Sequence, residues 1–211
     1  MPKIASHPYQ DIVSHLPVDD HTIEVNVKVW RNILMKIPSV SKYAKSILPA
    51  SHQLPIKRGF LKHHTFTTTE EKIIHILMWG YSSGGRGKNI QYALGHLHQI
   101  ASLVNQNTPW PQYYRGLKAI PGVGISTITK LAYFFHKSFH GHPALILDSQ
   151  IADILISGTW SGLSGPANTN EKSMEKHYLR YLAETQIIAN SLGFSSDKIE
   201  LFLFLLGKNF S

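Results

Sequence analysis

The stretch Ile120-Pro121-Gly122-Val123-Gly124-Ile125-Ser126-Thr127 is where this chain places residue types fit for chemistry at a fixed spacing. Two glycines leave main-chain N–H groups uncovered by side chains, directly before a run that favours helix. The leading N–H groups of a helix have no partner inside it, and the helix dipole puts partial positive charge at the same end. Together they make a binding site for an anion. With Trp110–Ala119 reading as the preceding helix, the unit is helix–hairpin–helix. Gly122, Val123 and Gly124 would hold one phosphate of a nucleic-acid backbone, a contact that positions without reading sequence. The hydroxyls of Ser126 and Thr127 can add contacts. A plain helical corner with glycine supplying the turn is the simpler reading of the same residues.

Two other clusters invite chemistry and fit it poorly. Gly80-Tyr81-Ser82-Ser83-Gly84-Gly85-Arg86-Gly87-Lys88-Asn89 is glycine-rich but fails as a nucleotide P-loop, because Ser82 stands five before Gly87 and Asn89 follows Lys88. The histidine pairs His96/His98 and His140/His142 have metal-ligand chemistry. The first pair diverges on a helix, and the second lies in a loop with no nearby acid.

The elements that must position these residues read as helices. Hydrophobic residues make up 43% of the 211-residue chain, enough for a substantial core, and no apolar run is long enough for a membrane span. The start shows no signal-peptide core, and cysteine is absent, which excludes disulfides, thiolate metal sites and a cysteine nucleophile. The expectation is a cytoplasmic protein. Lys and Arg number 21 against 13 Asp and Glu, a spread-out excess that points to a polyanionic partner. Residues 22–36 carry both alternation (Ile23, Val25, Val27, Val29) and helical spacing, and are read as helix. Ser39 is read as the cap of a short helix to Leu48, and Pro49 to Phe66 as a loop. Thr67 or Thr68 caps a helix through Trp79. Helices follow over 89–104, 111–119, 125–137 and from about Asp148. After a loop over 157–169, Asn170 caps a long helix to about 191, and Ser196 caps the last one. The fold class is all-α, about nine helices joined by short loops.

The phrases IPGVGIST and LILDSQIADIL resemble the helix–hairpin–helix DNA glycosylase superfamily over roughly residues 110–156. Ile120 takes the place of that family's usual leucine, and Asp148 matches its aspartate. TKLAYF, LILDSQIA and the closing LFLFLLGK look most like a small bacterial 8-oxoguanine-glycosylase-like branch, some members of which serve anti-phage defence. The resemblance implies a single domain over 1–211 with two helical lobes and an active cleft between them. One lobe would run from about 66 to 156, and the N-terminal segment would pack with the C-terminal helices as the other. It implies an enzyme that flips a modified base out of double-stranded DNA and hydrolyses its N-glycosidic bond. The base is oxidised guanine or a bulky phage-type pyrimidine such as glucosylated hydroxymethylcytosine. The protein would act as a monomer without membrane contact and without a required cofactor.

On that resemblance Asp148 is the catalytic carboxylate. It would stabilise the electron-poor sugar and orient water, much as carboxylates do in glycoside hydrolysis; a helix N-cap is the alternative role. Bifunctional relatives carry a lysine at the position of Ser126, which speaks for hydrolysis without strand cleavage. Lys130 lies about 6 Å further along the same helical face and can lean back toward the pocket, which keeps an AP-lyase reading open beside that of a phosphate contact. Backbone carbonyls of Lys118, Ile120 and Val123 would hold a monovalent cation. Tyr81, Arg86 or Asn89 would fill the space of the flipped base or touch phosphates. Trp79 and Phe202, ahead of Trp160, Tyr178 and Phe204, are candidates to line the base pocket, although aromatic residues at helical spacing are most often core. The rival from another class is a non-catalytic DNA-binding module.

Overall fold

A computed structural model describes residue 4, residues 7–85 and residues 88–210. Among them the order of elements is α1 (His7–Ser14), β1 (Thr22–Asn26), α2 (Val27–Met35), α3 (Tyr43–Ile47), β2 (Gln53–Lys57), α4 (Arg58–His63), α5 (Thr69–Gly80), α6 (Asn89–Gly95), α7 (Leu97–Asn105), α8 (Trp110–Lys118), α9 (Ile125–Phe134), β3 (Ser138–Phe139), β4 (His142–Pro143), α10 (Ser149–Ile156), α11 (Glu171–Leu192) and α12 (Ser196–Leu206), closed by a 3₁₀ turn over Gly207–Phe210. The chain is mostly helical, and its two sheets are two-stranded antiparallel pairs. No helix among the described residues is long and apolar enough to cross a membrane. The contacts divide the chain into two units, Asp19–Phe135 and the pair of segments Met1–Val18 and His136–Ser211.

In the Asp19–Phe135 unit, α5 packs on α9 and α7, and α8 packs on both α7 and α9. Ile73, Ile74, Ile76, Leu77 and Met78 of α5 meet Ile128, Leu131, Ala132 and Phe134 of α9 in the buried core of this unit. Apolar residues on nearly every side of these two helices make them central rather than amphipathic. Thr68 caps α5, its hydroxyl accepting the N–H of Glu71 at 3.1 Å. That is the first half of the capping box expected there.

Several local readings are corrected. Residues 22–26 are a strand, not the start of a helix; Thr22 pairs with Lys57 and Asn26 with Gln53. Asn26 then caps α2 by accepting the N–H of Val29 at 3.0 Å, so strand passes directly into helix. The span Pro49 to Phe66 contains β2 and α4 rather than a continuous loop. The run over 89–104 breaks at His96 into α6 and α7, while the helix after Ser39 begins only at Tyr43.

In the other unit, α12 packs on α1, α10 and α11. Asn170 caps α11, accepting the N–H of Ser173 at 2.8 Å. The N-cap of α12 is Ser195 rather than Ser196, whose hydroxyl instead donates to Gln186 Oε1 at 2.8 Å. Tyr9, Trp160 and Phe202 meet edge to face around a buried centre, Trp160 and Phe202 at 5.1 Å.

Candidate functional site

The hairpin between α8 and α9 is built by apolar anchors and glycine. Ile120, Val123 and Ile125 are buried, so the apolar residues of the turn hold it to the core. Pro121 is exposed, and Gly122, Gly124 and Ser126 are half-buried. The Val123 N–H donates to the Ile120 carbonyl at 3.2 Å, and α9 opens with the Ile128 N–H donating to the Gly124 carbonyl at 2.9 Å. Gly122 sits at φ +82°, and a Cβ there would stand 2.0 Å from the carbonyl oxygen of Asn89. Only glycine meets both conditions. Gly124 is the N-cap of α9 with extended backbone and no side-chain cap, and the first turn of α9 has no acidic residue. Such an end favours an anion in place of a side-chain cap.

A cavity of 540 Å³ opens beside the hairpin within the same unit. It is lined by residues 80–83 and Gly85, by Asn89 and Ile90 of α6, and by Gly122 and Gly124 of the hairpin. Two glycine-rich backbones therefore face a common space. Tyr81 joins them, its hydroxyl 2.7 Å from Thr127 Oγ1, while the Tyr81 carbonyl accepts the indole N–H of Trp30 at 3.0 Å. Thr127 is 2% exposed, so its hydroxyl is turned inward to Tyr81 and Ser126 carries the outward hydroxyl of this turn. Lys130 is 7% exposed, and its Nζ donates to Ser126 Oγ at 2.5 Å. The carbonyls of Lys118, Ile120 and Val123 fall on the last turn of α8 and the hairpin, with that of Ile120 already accepting one N–H.

Among the other residues singled out, Tyr81 and Asn89 line the cavity, and Arg86 lies outside the described residues. Trp79 is 7% exposed between His21 and Phe134, with ring centroids 5.4 Å away on each side. Phe202 is fully buried against Trp160 and Tyr9 in the other unit.

Asp148 is the N-cap of α10. Its Oδ1 accepts the N–H of Ile151 at 3.0 Å, and the side chain is half-buried. The approach to it is clamped. Tyr178 on α11 donates its hydroxyl to the Leu145 carbonyl at 2.7 Å and accepts the Leu145 N–H at 3.2 Å. Tyr181, one turn on, donates to the Ile146 carbonyl at 3.3 Å. Residues 144–147 are buried outside any helix or sheet, and these phenols meet the main-chain groups of Leu145 and the carbonyl of Ile146. The sequence carried a trace of this in Tyr178 and Tyr181 at i, i+3 on a long helix, but a clamp and a ring wall look alike at that level.

The sequence matches the model of the family described as "Putative 8-oxoguanine DNA glycosylase OGG-like protein" over residues 16–204. The chain belongs to that family, and the matched span contains both the hairpin and Asp148. No match was found among curated proteins or among solved structures.

Proposed function

We propose that this protein is a DNA glycosylase that excises a modified base from double-stranded DNA by hydrolysing its N-glycosidic bond. The observation that carries the proposal is the Gly122–Gly124 turn leading into α9, whose N-cap is a glycine with no side chain of its own to cap the helix, in a chain of this family. Gly122, Val123, Gly124 and Ser126 hold a backbone phosphate, and the net charge of +8 draws the protein to the duplex. A monovalent cation on the carbonyls of Lys118, Ile120 and Val123 would add positive charge at the same turn.

Asp148 stabilises the oxocarbenium character of the sugar as the bond to the base lengthens, and orients the water that completes hydrolysis. Its hydrogen bond from Ile151 and the tyrosine clamp on residues 145–146 support this role, because a carboxylate fixed in advance loses little on reaching the transition state. Ser126, where bifunctional relatives have lysine, supports hydrolysis without strand cleavage. That Tyr81 and Asn89 line the cavity beside the hairpin supports their filling the space left by a flipped base.

The family description supports oxidised guanine as the substrate. A glucosylated hydroxymethylcytosine of phage DNA, with a role in antiviral defence, is the other substrate this reading admits. The protein acts as a monomer in the cytoplasm. Mass spectrometry of bases released from oxidised, alkylated and glucosylated phage DNA tests the proposal. Release of one class assigns the substrate. Tight duplex binding with no release from any DNA would mean a non-catalytic binding module.

A further inference from the structure

Lys130 sits on the second turn of α9 with its ammonium turned back toward the start of the helix, where its Nζ donates to Ser126 Oγ at 2.5 Å. Its stem runs along the end of α5, and Gly80 makes the room. A Cβ at Gly80 would come within 3.0 Å of Lys130 Cδ and 3.3 Å of Cε. The placement is costly in two ways. A lysine aimed at a helix N-terminus adds positive charge to the positive end of the dipole. A side chain only 7% exposed also loses much of its hydration. An anion held outside the hairpin is attracted by the same charge.

We propose that Lys130 is a positioning residue for the phosphate at the hairpin, acting through Ser126. The inference rests on the phosphate-holding reading of the hairpin given above. By donating to Ser126 Oγ, the ammonium occupies that oxygen as an acceptor and leaves the hydroxyl hydrogen to point outward. The half-buried Ser126 then donates to a phosphate oxygen, and the charge behind it strengthens that donation. Lys130 thus touches neither phosphate nor sugar. Gly80 is part of the device, since a side chain there would crowd the lysine stem.

The test is binding of a short duplex carrying a tetrahydrofuran abasic-site analogue, read by fluorescence anisotropy. The duplex is also made as a series in which one phosphate at a time is a neutral methylphosphonate. Lys130→Met and Ser126→Ala are each expected to weaken binding about tenfold, and the double variant about tenfold as well, because both remove one device. In the wild-type protein one neutralised phosphate should weaken binding, and at that position Lys130→Met should be insensitive. Ser126→Ala, a change at a half-buried position, keeps the test open if Lys130→Met folds poorly. A hundredfold loss in the double variant would overturn the relay, as would full sensitivity of Lys130→Met to the same methylphosphonate; the phosphate-holding hairpin would survive either result. If no single neutralised phosphate weakens the wild-type protein, the hairpin reading fails and the relay fails with it. Borohydride trapping of a covalent adduct at Lys130 on a true abasic site would place the lysine on the sugar and overturn the relay alone.

Discussion

Replacing Gly122 by alanine tests how the hairpin is built. At φ +82° an alanine occupies the left-handed region, at a cost of about 1–2 kcal/mol. The added Cβ would also lie 2.0 Å from the Asn89 carbonyl oxygen, 2.8 Å from its carbon and 3.0 Å from Asn89 Cα. These are main-chain atoms at the start of α6, so no side chain can swing aside. The hairpin and α6 must separate by about 1 Å, an overpacking that costs about 1–3 kcal/mol more. The sum, about 2–5 kcal/mol, corresponds to a melting temperature lower by roughly 5–20 °C in a chain of this size. Circular dichroism melts of Gly122→Ala and Gly124→Ala make the comparison. Gly124 has φ −106° and ψ 175°, which any residue adopts, so its alanine variant escapes the left-handed backbone cost and should melt above Gly122→Ala. A Gly122→Ala protein that melts like wild type, or less steeply destabilised than Gly124→Ala, would refute the reasoning.

Further outcomes are expected elsewhere in the molecule. Asp148→Ala should lose about 1 kcal/mol of stability with its cap on Ile151, whereas Asp148→Asn should lose less than half of that because asparagine caps as well; denaturant titration measures both. Tyr178→Phe strands the main-chain groups of Leu145 and should cost about 1–3 kcal/mol in the same titration, with slower base release at temperatures where it remains folded. Burial holds His75 below its ordinary range, against the Glu71 carbonyl and carboxylate, which raise it, and with His64, which lowers it further; burial likewise lowers His177. The folded chain then binds fewer protons than the unfolded chain below about pH 6.5, so stability is complete above that value and falls as the pH drops. Melts from pH 8 to 5 should show the decline, flattened in a variant with glutamine at both positions. Below about pH 4.5, Glu184 adds to the loss. Its partial burial alone would raise its pKa, but the Ser164 N–H, Arg180 and the Ser164 hydroxyl outweigh that and hold it low.

Much of the helical frame was legible because its signals are local. Thr68 with Glu71 and Asn170 before α11 announce their helices by chemistry within one turn, and the structure shows both side chains as caps. The β1–β2 pair was not legible. Ile23 and Val25 alternate over too few residues to outweigh the helical spacing that follows, and their partners lie about thirty residues away across two intervening helices. Pro55 in β2, opposite Glu24, made that segment look like loop, although a two-stranded pair tolerates proline because each strand has a free edge. At the candidate site, the glycines and Asp148 stood out because backbone geometry and capping restrict residue choice. The Lys130–Ser126 bond and the Tyr81–Thr127 bond were hidden for different reasons. The first depends on a lysine rotamer that packs against Gly80 of another helix, and the second joins residues on separate helices. The Tyr178 clamp was hidden because buried tyrosines on a helix serve as ring walls or as hydrogen-bond partners with the same sequence pattern.

The most direct test of the enzymatic reading is single-turnover base release by the wild-type protein and by Asp148→Asn, on the modified DNA the wild type attacks. The account predicts that the wild-type protein frees the base, and that the asparagine variant binds the same duplex yet frees it at least a hundredfold more slowly. Equal rates in the two proteins, or no release by the wild type from any modified DNA, would contradict it.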